Sequence, residues 1–189
     1  MHQQYRPSNR LIIICGLSFA GKSTLADAIC AEFGYSQVDV DQTKLDLHGP
    51  GIDDTDLNPD EWDRIYRETD ERILFHLRKG GTVVDASRNF RRRERDHARR
   101  IAEQVGVEMV VIYVDTPEWL VRRRWAQNKR QQARRDVSEA AFGEIISIME
   151  PPTVGEEALV FRYDDDMEDW LCERADELGG KRGSERNDL

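Results

Sequence analysis

"LIIICGLSFAGKSTLADAI", Leu11–Ile29, decides the fold. Four aliphatic residues and a cysteine run straight into Gly16-Leu17-Ser18-Phe19-Ala20-Gly21-Lys22-Ser23, which fits G-x-x-x-x-G-K-[S/T] at every fixed position. A helix-forming run, TLADAI, follows at once. Strand, glycine turn and helix in this order form a cradle for phosphate. The glycines allow a tight loop whose N–H groups point inward, and the helix adds its positive end. Lys22 would reach the outer phosphates and the Ser23 hydroxyl would meet Mg²⁺, with Gly16, Ser18, Ala20, Gly21 and Thr24 lining the cradle.

Outward from this stretch, short apolar runs alternate with longer amphipathic ones. Strands are predicted at 10–15, 36–40, 82–85, 108–114 and 158–163. Helices are predicted at about 22–33, 59–79, 90–105, 116–131, 138–149 and 166–178. Asn58 with Pro59, and Thr116 with Pro117, read as cap and first helical residue, and Gly80 or Gly81 ends the helix before the third strand. Val- and Ile-rich strands alternating with helices predict an α/β fold, a parallel sheet covered on both faces.

Composition narrows the function classes. The chain has 189 residues, enough for one domain with one core. Its longest apolar run is too short to span a bilayer, and residues 1–10 carry no secretory signal pattern. Three widely spaced cysteines, Cys15, Cys30 and Cys172, form no ligand cluster and read as thiols of a cytoplasmic protein. The net charge is −9, but residues 88–135 hold 14 Lys+Arg against 6 Asp+Glu, leaving a balance of −17 elsewhere. This pattern suits a compact polyanion such as a nucleoside triphosphate rather than long nucleic acid. The run "RRRERDHARR", 91–100, reads mostly as a solvated helix face.

The ends of the other strands supply the remaining candidates. "QVDVDQTKLDLHG" places Asp39 and Asp41 on one side of the second strand, and either carboxylate could take a proton from an attacking hydroxyl. "GTVVDASRN" ends the third strand in Asp85, suited to orienting a metal, with Arg88 beside it for an acceptor-side or phosphate-side contact. The acidic loop over 46–60 suits an acceptor that is not strongly anionic, polyol- or amine-bearing. His48, a lone histidine in that loop, receives no catalytic role. "NKRQ", 128–131, fails the guanine-reading N-K-x-D pattern at Gln131. Trp62 and Trp170 read as packing residues.

These landmarks resemble the small P-loop kinases, with an AAA-type ATP-binding domain: the group of polynucleotide kinase, gluconate kinase, chloramphenicol phosphotransferase and zeta-toxin-like kinases. The resemblance covers about residues 10–172. It implies a P-loop three-layer sandwich with a five-stranded parallel sheet in the order 2-3-1-4-5, and Mg·ATP as donor. It implies Asp41 as base, followed three residues later by a basic residue. Here that residue is Lys44, where the family usually has arginine; the forked contact to an acceptor phosphate is lost. It also implies an arginine-bearing lid at about 120–140, with Arg124 and Arg130 on phosphate and Arg123 and Arg134 in reserve. The domain is then 10–178, between a loose N-terminus (1–9) and a disordered tail (179–189). The expected activity is transfer of the ATP γ-phosphate to a small-molecule hydroxyl. The alternatives are a polynucleotide 5′-hydroxyl kinase, which the acidic 46–61 region disfavours, and a nucleotide-binding switch or ATPase with no acceptor.

Overall fold

The computed structural model describes residues 9–131 and 137–180. The central strand β1, Arg10–Cys15, pairs in parallel with β3, Val83–Asp85, on one side and β4, Glu108–Asp115, on the other. Beyond them lie β2, Ser36–Val38, and β5, Leu159–Arg162. The order is β2-β3-β1-β4-β5, all parallel, as the resemblance implies.

Alternation along β1 explains the three layers. Ile12 and Ile14 face α1, Lys22–Phe33, through Leu25, Ala26 and Ile29, together with Trp170 and Leu171 of α7, Met167–Glu173. Leu11, Ile13 and Cys15 face the other way. They meet Ile73, Leu74 and Leu77 of α3, Pro59–Arg78, and Ala98, Ile101 and Ala102 of α4, Arg92–Val105. Every residue from Leu11 to Cys15 is 0% exposed, so this one strand anchors both cores. Each such side chain stabilises the fold by about 1.5–3 kcal/mol through burial.

α3 begins as expected, with Asn58 accepting from the Glu61 N–H, Glu61 reaching back to the Asn58 N–H, and Pro59 in the first turn. Helix α5, Glu118–Gln131, differs. Thr116 does not cap it; the Thr116 hydroxyl donates to the Ala20 carbonyl at 2.9 Å and ties the end of β4 to the phosphate loop. α6, Glu139–Ile148, follows, capped by Ser138.

The largest correction concerns β2. Strand 36–40 stops at Val38, because the Asp39 carboxylate accepts from the Asp41 and Gln42 N–H groups and starts helix α2, Val40–His48. Asp39 and Asp41 therefore do not alternate along a strand. One is a cap and the other lies in the first helical turn. Much of the expected 46–60 loop is also ordered: α2 ends at His48, and Asp54–Asp56 forms a short 3₁₀ turn. Val40, Leu57 and Ile65 form a small core beneath it.

Candidate active site

The phosphate loop is shaped by two glycines with positive φ. Gly16 (φ 144°) passes so close to β4 that a Cβ would lie 2.8 Å from the Val114 carbonyl. Gly21 (φ 114°) starts α1. Both positions demand glycine for backbone reasons. Ser23 and Thr24 sit exposed on the first turn of α1, while Ala20 is buried and Ser18 half-buried. The Lys22 ammonium donates to the Gly16 and Leu17 carbonyls, both at 2.9 Å, and stands 5.0 Å from the centre of the Phe90 ring. The cradle, its lysine and the adjoining helix end fit the phosphates of a nucleotide.

The lid helix touches this loop directly. Arg124 of α5 donates to the Ala20 carbonyl at 2.9 Å and the Phe19 carbonyl at 3.2 Å. Phe19, a non-glycine residue at φ 64°, is held against Phe142 of α6, which stacks on Trp125 of α5 at 4.9 Å. The left-handed conformation costs roughly 1–2 kcal/mol for a residue with a Cβ, which these contacts offset. Arg123 and Arg130 lie exposed on α5, and Arg134 falls outside the described residues. Of the lid candidates with described positions, Arg124 is thus at the loop.

Opposite the cradle, the carboxyl ends of β2 and β3 bring together Asp39, Asp41, Asp85 and Arg88. Burial, then the Asp41 and Asp85 carboxylates, push the Asp39 carboxyl above its usual range, against the two capping N–H groups. Asp41 is exposed on the first turn of α2. Asp85, 1% exposed, accepts from the Ser87 N–H (3.0 Å), the Ser87 hydroxyl (2.7 Å) and the Asn89 amide (3.5 Å). Among the described residues no cluster of three His, Cys, Asp or Glu side chains could hold a metal. Ser23 and Asp85 suit Mg²⁺, which keeps most of its waters and takes few protein ligands.

Lys44 and Arg88, expected to contact an acceptor, are already engaged. Lys44 is buried and bonds Asp54 at 2.9 Å and the Ile52 carbonyl at 3.3 Å. Arg88 pairs with Asp70 and lies 3.7 Å from Asp85. Burial opposes its charge, yet Asp85 and Asp70 together hold the guanidinium above its usual pKa.

The run 91–100 is not simply a solvated face. Arg95 is 0% exposed and forms a two-pronged ion pair with Glu156 (2.7 and 3.1 Å), while also donating to the Asn89, Phe90 and Glu150 carbonyls. The Arg95 hydrogen bonds lower the Glu156 carboxyl to about 2, against burial. This pair joins the loop after β3 to the segment before β5. Arg95 shares a helix face with Ala98, Ala102 and Val105, so its sequence position did point inward. Cys15, at the end of β1, is raised to about 11 by burial and is no nucleophile.

The AAA domain family matches residues 11–152. The chain belongs to the AAA domain family. Solved structures similar to this AAA domain include a candidate kinase from Chloroflexus aurantiacus (18% identity, TM-score 0.70, covering 92% of this chain and 98% of that one). The Mycobacterium tuberculosis APS kinase, solved with AMPPNP and APS, is 21% identical with TM-score 0.65, covering 91% and 98%. A gluconokinase from Sinorhizobium meliloti is 17% identical with TM-score 0.58, covering 92% of each chain. These likenesses show that the AAA domain here has the fold of small P-loop kinases. No curated protein matches the sequence. No helix among the described residues is long and apolar enough to cross a membrane.

Proposed function

We propose that the protein is a kinase that transfers the γ-phosphate of ATP to a hydroxyl of a small molecule. The observation that carries this reading is the carboxylate group at the ends of β2 and β3, Asp39, Asp41 and Asp85, facing a phosphate cradle within one fold. Neighbours of the same fold named as APS kinase and gluconokinase support it.

In this mechanism the acceptor oxygen attacks the γ-phosphorus, the bond from that phosphorus to the β–γ bridging oxygen breaks, and ADP leaves. The hydroxyl proton goes to the Asp41 carboxylate, which also aims the oxygen. Asp39 serves differently. Its Oδ1 is committed to the α2 start, so it fixes where Asp41 stands and adds negative potential beside it. Lys22 and Arg124 carry positive charge to the transferring group, and Arg130 joins them from the far end of α5. Bound Mg²⁺, held by Ser23 with Asp85 orienting its waters, would neutralise phosphate charge. Gly16, Ser18, Ala20, Gly21 and Thr24 shape the cradle.

The test is acceptor-dependent ADP release over nucleosides, oligonucleotides, sugars and amine-bearing acceptors. Asp41→Asn should lower kcat with acceptor at least ~10²-fold while ATP affinity stays within a few-fold. Equal turnover of ATP with and without every acceptor, or an unaffected Asp41→Asn, would overturn the kinase reading. A polynucleotide 5′-kinase would appear as preference for oligonucleotides. The paired state of Lys44 and Arg88 argues against it.

A further inference from the structure

A cavity of about 720 Å³ opens between the first half of α3 and the start of α4, lined by Tyr66, Asp70, Arg88, Glu94 and His97, with Asp60, Asp63, Arg67 and Arg93 at its rim. It lies at the catalytic end of the sheet. Arg88, in its wall, reaches within 3.7 Å of Asp85. The Asp41 carboxylate is near enough to Tyr66 to help raise its phenol, behind burial and nearer charges. A second cavity, lined by Asp39, Asp41, Leu45, Arg72 and His76, runs beside β2, past the half of α3 that leads away from the cradle. On the kinase reading above, the α3–α4 cavity, whose Arg88 reaches Asp85 at the end of β3, is assigned as the acceptor chamber.

Its charges decide what it can hold. Of the three arginines in its lining, Arg88 is the least exposed, and it is already bound by Asp70 and faces Asp85. Asp70 also takes the His97 Nε2 at 2.7 Å. Arg88 and Asp70 are mostly buried, with side chains 17% and 20% exposed. An anionic acceptor would have to pull Arg88 from two carboxylates, leaving half-buried negative charge without its partner. Exposed Arg67 and Arg93 share the lining with Asp60 and Asp63, Arg67 donating to the Asp63 carbonyl at 3.3 Å. A wall of alternating acceptors and donors suits hydroxyl groups, which do both at once. Tyr66, stacked on Trp62 and 39% exposed, gives the chamber an apolar edge of the sort that lies along a ring's C–H face. The volume suits a molecule of one or two rings.

We propose that this chamber takes an uncharged polyhydroxy acceptor, and that Asp70, by neutralising Arg88, is the residue that excludes anionic ones. The inference rests on the kinase reading and names its acceptor class. It concerns binding preference and adds no chemical step.

The experiment compares matched acceptor pairs with the whole protein and Mg·ATP, each uncharged polyol or nucleoside against its carboxylate or phosphate-monoester analogue, reading kcat/KM from ADP release. Wild-type protein should favour the uncharged member by at least about tenfold, well inside the range that a site built on polar contacts can reach. Asp70→Asn should narrow or reverse that ratio, mostly through KM, because it leaves Arg88 with charge to offer. A wild-type preference for the anionic member overturns the inference and leaves the kinase reading standing. Acceptor-independent turnover throughout overturns both. Should Asp70→Asn not fold, Arg88→Gln reads the same point: with Arg88 neutralised in wild type, its removal leaves the preference for the uncharged member in place. A selective loss of anion use would show that Arg88 had been the anion's partner, and would refute the proposal.

Discussion

Replacing Glu156 by glutamine breaks the fully buried Arg95–Glu156 ion pair, which ties α4 to the segment before β5. Arg95 is 0% exposed and the Glu156 side chain 1% exposed, so the variant leaves a guanidinium in the core with only carbonyls for partners. Breaking such a pair from one side costs about 3–5 kcal/mol. The carboxyl itself gives a second route to the number. Held at about 2 instead of near 4.5, it favours the folded state by roughly 3 kcal/mol when ionised. The two agree, and predict a melting point about 6–20 °C lower for a domain of this size. The sign with pH follows from the depressed pKa. This contribution is fully present above about 4.5 and disappears as pH falls towards 2. Urea unfolding of both proteins from pH 7 to pH 2.5 should therefore show a gap that is widest at neutral pH and shrinks through that window. A variant within ~1 kcal/mol of wild type at pH 7, or a gap that does not change on acidification, refutes the argument. Replacing both residues by well-packed apolar ones should cost far less than Glu156→Gln alone.

Two further substitutions probe the donor side, with Gly34→Ala at the far end of α1 as a control for the first. Gly16→Ala should destabilise by ~2 kcal/mol or more, because its Cβ meets the Val114 carbonyl at 2.8 Å; Gly34→Ala, with nothing within 4 Å, should cost only its ~1 kcal/mol backbone strain, both read by urea unfolding. Arg124→Ala removes a side chain that bonds carbonyls of the loop and should lower kcat by ~10²–10³-fold, with an unfolding midpoint little changed; equal losses in stability and rate would make Arg124 a lid anchor instead.

Much of the fold was legible because local and global signals agreed. β1 and α1 fell on their predicted residues, and α3 to within one, since apolar period, capping residues and glycine stops all pointed the same way. At Val38–Asp41 they conflicted. V-D-V-D alternates like a strand, yet Asp39 followed three residues later by Gln42 is also a helix-start signature, and the capping bonds won. The carboxylate still arrived at the site, but on a helical turn. What no local pattern carried was partnership over distance. Arg95 and Glu156 are 61 residues apart, and Arg88 and Asp70 are 18 apart on different elements. Even Arg95, whose helix position points inward, carries no local sign of which carboxylate meets it.

Those distant pairs give the site its division of labour. On the donor side, Lys22 and Arg124 donate to backbone carbonyls of the loop. Exchanging a neutral carbonyl for a phosphate oxygen replaces an ordinary hydrogen bond with a charge-assisted one, which is favourable. In the chamber proposed above, Arg88 is bound by Asp70 and faces Asp85, while the exposed Arg67 donates to the Asp63 carbonyl. Exchanging a carboxylate for an anionic ligand gains little and strands a negative group. On the kinase reading proposed above, Arg124 is thus exchangeable and Arg88 is not, so a polyanion is favoured at the phosphate loop over the Arg88 wall of the chamber.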